Sequence, residues 1–298
     1  MPHLNLRGSL HAYDQYDPTD GDPDLTLVFI HGWLLSRSYW QPLIAQLRSH
    51  WGCLSYDLRG FGESTANPDQ GHSPVDYAED LIDLLTALNL QRVWLVGHSL
   101  GGTIALWAAR LCPERIAGVI GVNAGGGIYI EQEFERFRGF GQQLIRWRPQ
   151  WLRQIPGAEL PFCWDSVHRP LPRQWARRRL RDFLGADAAA ATGSLLDSTT
   201  AEQVNCLPSL VARLTQPAYF LAGDRDTIMP PAYVQHLASF HPSFGLEGHN
   251  LRQLEDCGHL AMLEQTNAVA EAIHTWIYQA IAAEQSDPAL DPSLQSGL

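Results

Sequence analysis

The sequence predicts an α/β protein with a mostly parallel sheet, helices on both of its faces and a helical insertion in the middle of the chain. Three observations carry this. Short continuous apolar runs have the length of strands buried on both sides, helical patterns alternate with them, and residues 126–215 contain no convincing strand.

Taken in order, the first run is Leu25-Thr26-Leu27-Val28-Phe29-Ile30, which stops at His31-Gly32. Runs of the same kind follow at 52–56, 93–96, 116–122 and 218–221, and another strand fits 250–254. Between them, Ser73-Pro74 reads as a helix cap with proline at the first helical position, ahead of apolar residues three or four apart over 75–88. Residues 100–111 and 269–281 carry a similar helical pattern. The interrupting stretch, 126–215, holds twelve arginines and Trp147, Trp151, Trp164 and Trp175, four of the ten tryptophans. It is expected to form a helical lid over the edge of the sheet, entered through a hinge at Gly125-Gly126-Gly127. Residues 1–125 and 216–283 then make the core, and 284–298, with two Asp-Pro pairs, a flexible tail.

Composition removes several function classes. The 298 residues carry 21 Lys+Arg against 32 Asp+Glu, a net charge of −11, and every one of the 21 cations is an arginine. Schiff-base, pyridoxal and P-loop phosphate chemistry each need a lysine amine. The acidic balance argues against a nucleic-acid or anionic-membrane binder. No apolar run approaches the roughly 20 residues that span a bilayer, and residues 1–15 hold no signal-peptide core. The five cysteines are scattered without a paired spacing, which predicts a reduced, cytoplasmic protein. Charge is also uneven. Residues 126–215 have 12 arginines against 9 acids, and the remainder 9 against 23, so an ion-pair seam between lid and body is expected.

The most specific signal is Gly97-His98-Ser99-Leu100-Gly101, extended by Gly102, between the run 93–96 and the helical pattern 100–111. A sharp strand-to-helix turn there lifts the Ser99 hydroxyl above the sheet, and the flanking glycines are needed because a Cβ would clash. With His31-Gly32-Trp33, Asp57 to Ser64, Gly223-Asp224-Arg225-Asp226 and Gly258-His259, in this order, the chain resembles the α/β-hydrolase superfamily over residues 25–281. The resemblance implies an eight-stranded-type sheet, a lid between its sixth and seventh strands, and a serine hydrolase. His259, in a short loop after the strand at 250–254, is the expected base; His241 and His249 precede that strand. The resembling families use the second acid of Gly-Asp-x-Asp, which selects Asp226 over Asp224. Asn123, where some relatives carry the acid, has no charge. The amides of Leu100 and Trp33 are expected to stabilise the oxyanion. His31 and His98 are read as structural. Asp57, Arg59 and Glu63 are expected to pin one another.

No paired His or Cys spacing suggests a metal, and no Gly-x-Gly-x-x-Gly follows a strand, so no cofactor is expected. The expected reaction is hydrolysis of a hydrophobic small-molecule ester through an acyl-enzyme. Trp147, Trp151 and Trp164, with Phe134, Phe137, Phe140 and Phe162, are candidates to line the substrate pocket or, equally, the lid's own core. The same constellation also fits carbon–carbon bond hydrolases, the menaquinone-pathway lyase of the superfamily, and triad-bearing small-molecule receptors.

Overall fold

The computed structural model of the chain describes residues 2–20, 22–125, 131–245 and 248–285, except the side chains of Asp22, Pro23, residues 131–134, Arg136 and Phe137. Eight strands form one sheet: β1 His3–Leu6, β2 Ser9–Tyr16, β3 Asp22–Ile30, β4 Trp51–Tyr56, β5 Val93–His98, β6 Ile116–Val122, β7 Ala218–Gly223 and β8 Leu251–Leu254. Their order is β1-β2-β4-β3-β5-β6-β7-β8. The pairings β1/β2 and β2/β4 are antiparallel, and the remainder parallel.

Continuous apolar strands follow from helices on both faces. Along β3, Val28 and Ile30 enter one buried layer while Leu27 and Phe29 enter the other. The first layer is closed by α2 Pro74–Ala87, α3 Leu100–Leu111 and α8 Pro231–Ala238; the second by α1 Gln41–Leu47 and α10 Thr266–Gln285, which α9 Ala261–Glu264 precedes. Ser73 caps α2 as the sequence predicts: its Oγ accepts the Asp76 amide at 3.2 Å while Asp76 Oδ2 accepts the Ser73 amide at 2.8 Å. Among the described residues, no helix is long and apolar enough to cross a membrane.

Four helices occupy the chain between β6 and β7: α4 Glu131–Arg146, α5 Arg173–Gly185, α6 Ala188–Ser198 and α7 Ala201–Ala212. Leu180, Leu195 and Leu207 from this segment join the layer beneath α2 and α3. Two of the three hinge glycines and residues 286–298 of the expected tail lie outside the described residues. The antiparallel hairpin β1–β2 is absent from the sequence reading. Its strands are partly exposed and mix polar with apolar residues, so they lack a continuous apolar run, and the turn Arg7-Gly8 has positive φ at both positions (49° and 80°).

Candidate active site

Ser99 joins β5 directly to α3 with φ 51° and ψ −118°, a conformation that non-glycine residues rarely adopt. Sterics explain the glycines around it. A Cβ on Gly97 would collide with the Gly101 carbonyl, and one on Gly101 with the carbonyl of Ile30 at the end of β3. The Leu100 amide, at the first position of α3, has no intrahelical partner and faces the positive end of the helix dipole.

His259 donates from Nδ1 to Asp226 Oδ2 at 2.7 Å, which leaves its Nε2 lone pair to receive a proton. Asp226 is fixed from the other side. Its Oδ1 accepts the amides of Ile228 and Met229, both at 2.8 Å, and its Oδ2 accepts Asn123 Nδ2 at 2.8 Å. Burial pushes this carboxyl up, but the charge and hydrogen bond of His259, with the Met229 and Asn123 donors, hold it below the ordinary aspartate value. Asp224 faces elsewhere, accepting the Cys257 amide at 3.2 Å and lying 3.5 Å from Arg225. Asn123 sits at the end of β6 with φ 50° and also donates to the Gly258 carbonyl at 3.2 Å. Sequence reasoning passed over it because an amide carries no charge; its position at a strand end was the available signal.

His31 and His98 are structural groups. The Leu58 amide donates to His31 Nε2 at 2.9 Å, so His31 Nδ1 carries the proton given to the Gly32 carbonyl at 2.8 Å. His98 donates from Nε2 to the His259 carbonyl at 2.7 Å, and its ring lies 4.7 Å from the His259 ring. Burial, with the nearby His259, lowers its pKa to about 3, so it stays neutral. Of the expected cluster, Asp57 and Glu63 pin one another, the Glu63 amide donating to Asp57 Oδ2 at 2.9 Å, but Arg59 does not join them. Arg37 binds Asp57 and Glu63, while Arg59 turns away to Asp80 at 2.8 Å. The arginine that joins Asp57 and Glu63 is thus Arg37, in the 3-10 turn Arg37–Trp40.

The helical segment grips the loop that carries Trp33. Trp33 Nε1 donates to the Ala191 carbonyl at 2.8 Å, and Ser36 Oγ donates to Asp182 Oδ2 at 2.8 Å. It also holds the loop that carries His259, since the His259 amide donates to the Ser166 carbonyl at 2.9 Å. Glu264, another residue without a sequence signal, accepts four backbone amides: His168 at 2.7 Å, Gly258 at 3.1 Å, Leu260 at 3.2 Å and Arg169 at 3.3 Å.

Ser99, His259 and Trp33 share one cavity of about 420 Å³, walled mainly by Leu34, Phe140, Leu144, Phe162, Phe183 and Ile228. Its charged wall residues are Arg179 and Asp165, paired with each other at 2.6 Å. Phe140 and Phe162 therefore reach the cavity, whereas the side chains of Phe134 and Phe137 lie outside the described residues. Trp147, Trp151 and Trp164 are not brought to it; they are 81%, 57% and 59% exposed. Among the described residues, no three His, Cys, Asp or Glu side chains group as a metal site.

Against known proteins, the family described as alpha/beta hydrolase fold matches residues 26–266. A 2-succinyl-6-hydroxy-2,4-cyclohexadiene-1-carboxylate synthase of Yersinia pseudotuberculosis is 31% identical over 226 residues, 75% of this chain and 80% of its own. A pimeloyl-[acyl-carrier protein] methyl ester esterase of Xylella fastidiosa is 28% identical over 257 residues, covering 84% and 94%. Among solved structures, a thermophilic esterase from Thermogutta terrifontis superposes with a TM-score of 0.72 at 23% identity, covering 94% of this chain and 98% of that one.

Proposed function

The chain belongs to the α/β-hydrolase fold family, a hydrolytic enzyme by its relatives, and we propose that it cleaves a carboxylic ester of a hydrophobic small molecule. Ser99 attacks the acyl carbon as His259 takes its proton. Asp226 holds the imidazole in the productive tautomer and offsets its positive charge. The amides of Leu100 and Trp33 receive the oxyanion. His259 then protonates the departing alcohol, and the same base activates the water that releases the acid.

One observation carries the reading: the His259–Asp226 pair, at 2.7 Å, and the strained Ser99 open onto a single apolar cavity. The helices α4–α7 act as its lid, because Phe140, Phe162 and Phe183 supply its roof. An apolar wall rewards acyl or alcohol groups that bury methylenes, at about 0.8 kcal/mol each. In a series of nitrophenyl esters, kcat/KM is therefore expected to rise with chain length. A preference confined to the shortest chain would sink the hydrophobic-ester assignment. Ser99→Ala is expected to abolish turnover and keep the thermal midpoint; wild-type turnover in that variant would remove Ser99 from the reaction.

A second reading is favoured by the 31% identical synthase: the same three residues acting on a carbon skeleton. Fluorophosphonate labelling of Ser99 without turnover of any ester in the panel would select it.

A further inference from the structure

Four arginines converge on a groove that is separate from the cleavage cavity. The groove, about 640 Å³, is lined by Arg153, Arg173, Arg177 and Arg181 over an apolar floor that includes Ile155 and Leu180. Its carboxylate is Glu159, whose Oε1 accepts Arg173 Nε at 2.6 Å and Arg177 Nε at 3.3 Å. Arg153 and Arg181 are exposed and make no ion pair among the described residues. Arg153 reaches its place from the turn Gln150–Gln154, lying 3.7 Å from where a Cβ on Gly185 would stand at the end of α5.

This arrangement needs a cause. Four guanidinium groups line a groove that holds one carboxylate, in a chain whose 32 acids outnumber its 21 arginines. Several arginines of the same segment have partners: Arg178 in Asp182, Arg179 in Asp165, and Arg148 in the carbonyls of Phe183 and Ala186. Here the positive charge is left open to solvent in a concave site. Guanidinium forks match tetrahedral oxyanions, and the surplus of cations suits a multiply charged group better than a single carboxylate.

We propose that this groove binds a phosphate-bearing ligand, a phosphate ester or diphosphate, either free or as a lipid headgroup. The face of α5 that carries Arg173, Arg177 and Arg181 forms the groove, while Arg179 and Phe183 on another face line the cavity. Occupancy of the groove therefore requires neither Ser99 nor ester turnover.

The test uses inorganic pyrophosphate in calorimetric titrations and phosphatidylglycerol vesicles in co-sedimentation, with phosphatidylcholine vesicles as the neutral control. The proteins are the wild type, Ser99→Ala, the double variant Arg153→Gln/Arg181→Gln, and a charge-matched control, Arg110→Gln/Arg213→Gln. Saturable pyrophosphate binding is expected in the wild type and in Ser99→Ala. It should weaken about tenfold or more in the groove variant, as the loss of two charge-assisted contacts implies. The charge-matched control should bind like the wild type, and all four proteins should keep their thermal midpoints. Binding of pyrophosphate alone identifies a soluble phosphate compound; sedimentation with the anionic vesicles that depends on Arg153 and Arg181 identifies a headgroup. Absence of both responses overturns the proposal, as does an equal loss in the groove variant and the charge-matched control.

Discussion

The Asp226 carboxylate accepts four hydrogen bonds, two from backbone amides, one from Asn123 and one from His259. Each favours the ionised form, so the folded carboxyl releases its proton at lower pH than the unfolded one. This contribution to stability is present above the ordinary aspartate value and fades as pH falls through the folded one. His98 adds to acid sensitivity by a different route. In the unfolded chain it takes a proton near 6.5, whereas in the fold it resists protonation until about 3, so stability declines as pH drops across that interval. Urea midpoints measured against pH should therefore fall less steeply between those values for His98→Gln than for the wild type. For turnover, Asp226→Asn is expected to lower kcat by about 10⁴, the loss that follows when the base takes the wrong tautomer. Asn123→Ala removes one donor and is expected to lower kcat about tenfold with KM unchanged, which steady-state kinetics will read.

At the level of elements, the strand–turn–helix around Ser99 and the loop after β3 are one assembly. Gly101 lies against the carbonyl of Ile30, so the helix start touches the strand that delivers Trp33. Gly101→Ala is expected to destabilise the protein by about 3 kcal/mol or more, since backbone cannot yield as a side chain can; chemical denaturation will measure it. The same loop depends on α6 through the Trp33–Ala191 hydrogen bond. Trp33→Phe keeps an aromatic ring and removes that bond, and a fall of about tenfold in kcat, with little change in KM or thermal midpoint, is the expected result. The elbow was legible in the sequence because steric rules dictate glycine at fixed spacing, which is a local pattern. Asn123 and Glu264 were not, because each acts on a loop far along the chain through an uncharged or backbone contact. The tryptophans of the helical segment illustrate a different limit: composition reported that they were there, but not toward which side of the segment they turn.

Across the whole molecule, the sequence placed the parallel sheet and the interruption between β6 and β7, since both follow from hydrophobic runs. It misplaced the use of the arginines. The seam between the helical segment and the body contains the pair Arg169–Asp256 at 3.3 Å, but Arg173, Arg177, Arg178 and Arg179 bind acids within the segment itself. The seam is closed by apolar packing, with Leu180, Leu195 and Leu207 in the shared core layer, and by hydrogen bonds, Trp33 to Ala191, Ser36 to Asp182, Arg178 to Ser36 and His259 to Ser166. Added salt should accordingly leave hydrogen exchange in α6 nearly unchanged, whereas Ser36→Ala should speed exchange in α5 and α6. Glu264 gives this joint an unusual property. All four of its donors are peptide groups, so the identities of residues 168 and 169 do not enter the contact. A single carboxylate thus fastens this stretch of the helical segment beside His259 through the peptide chain itself, whatever side chains residues 168 and 169 carry.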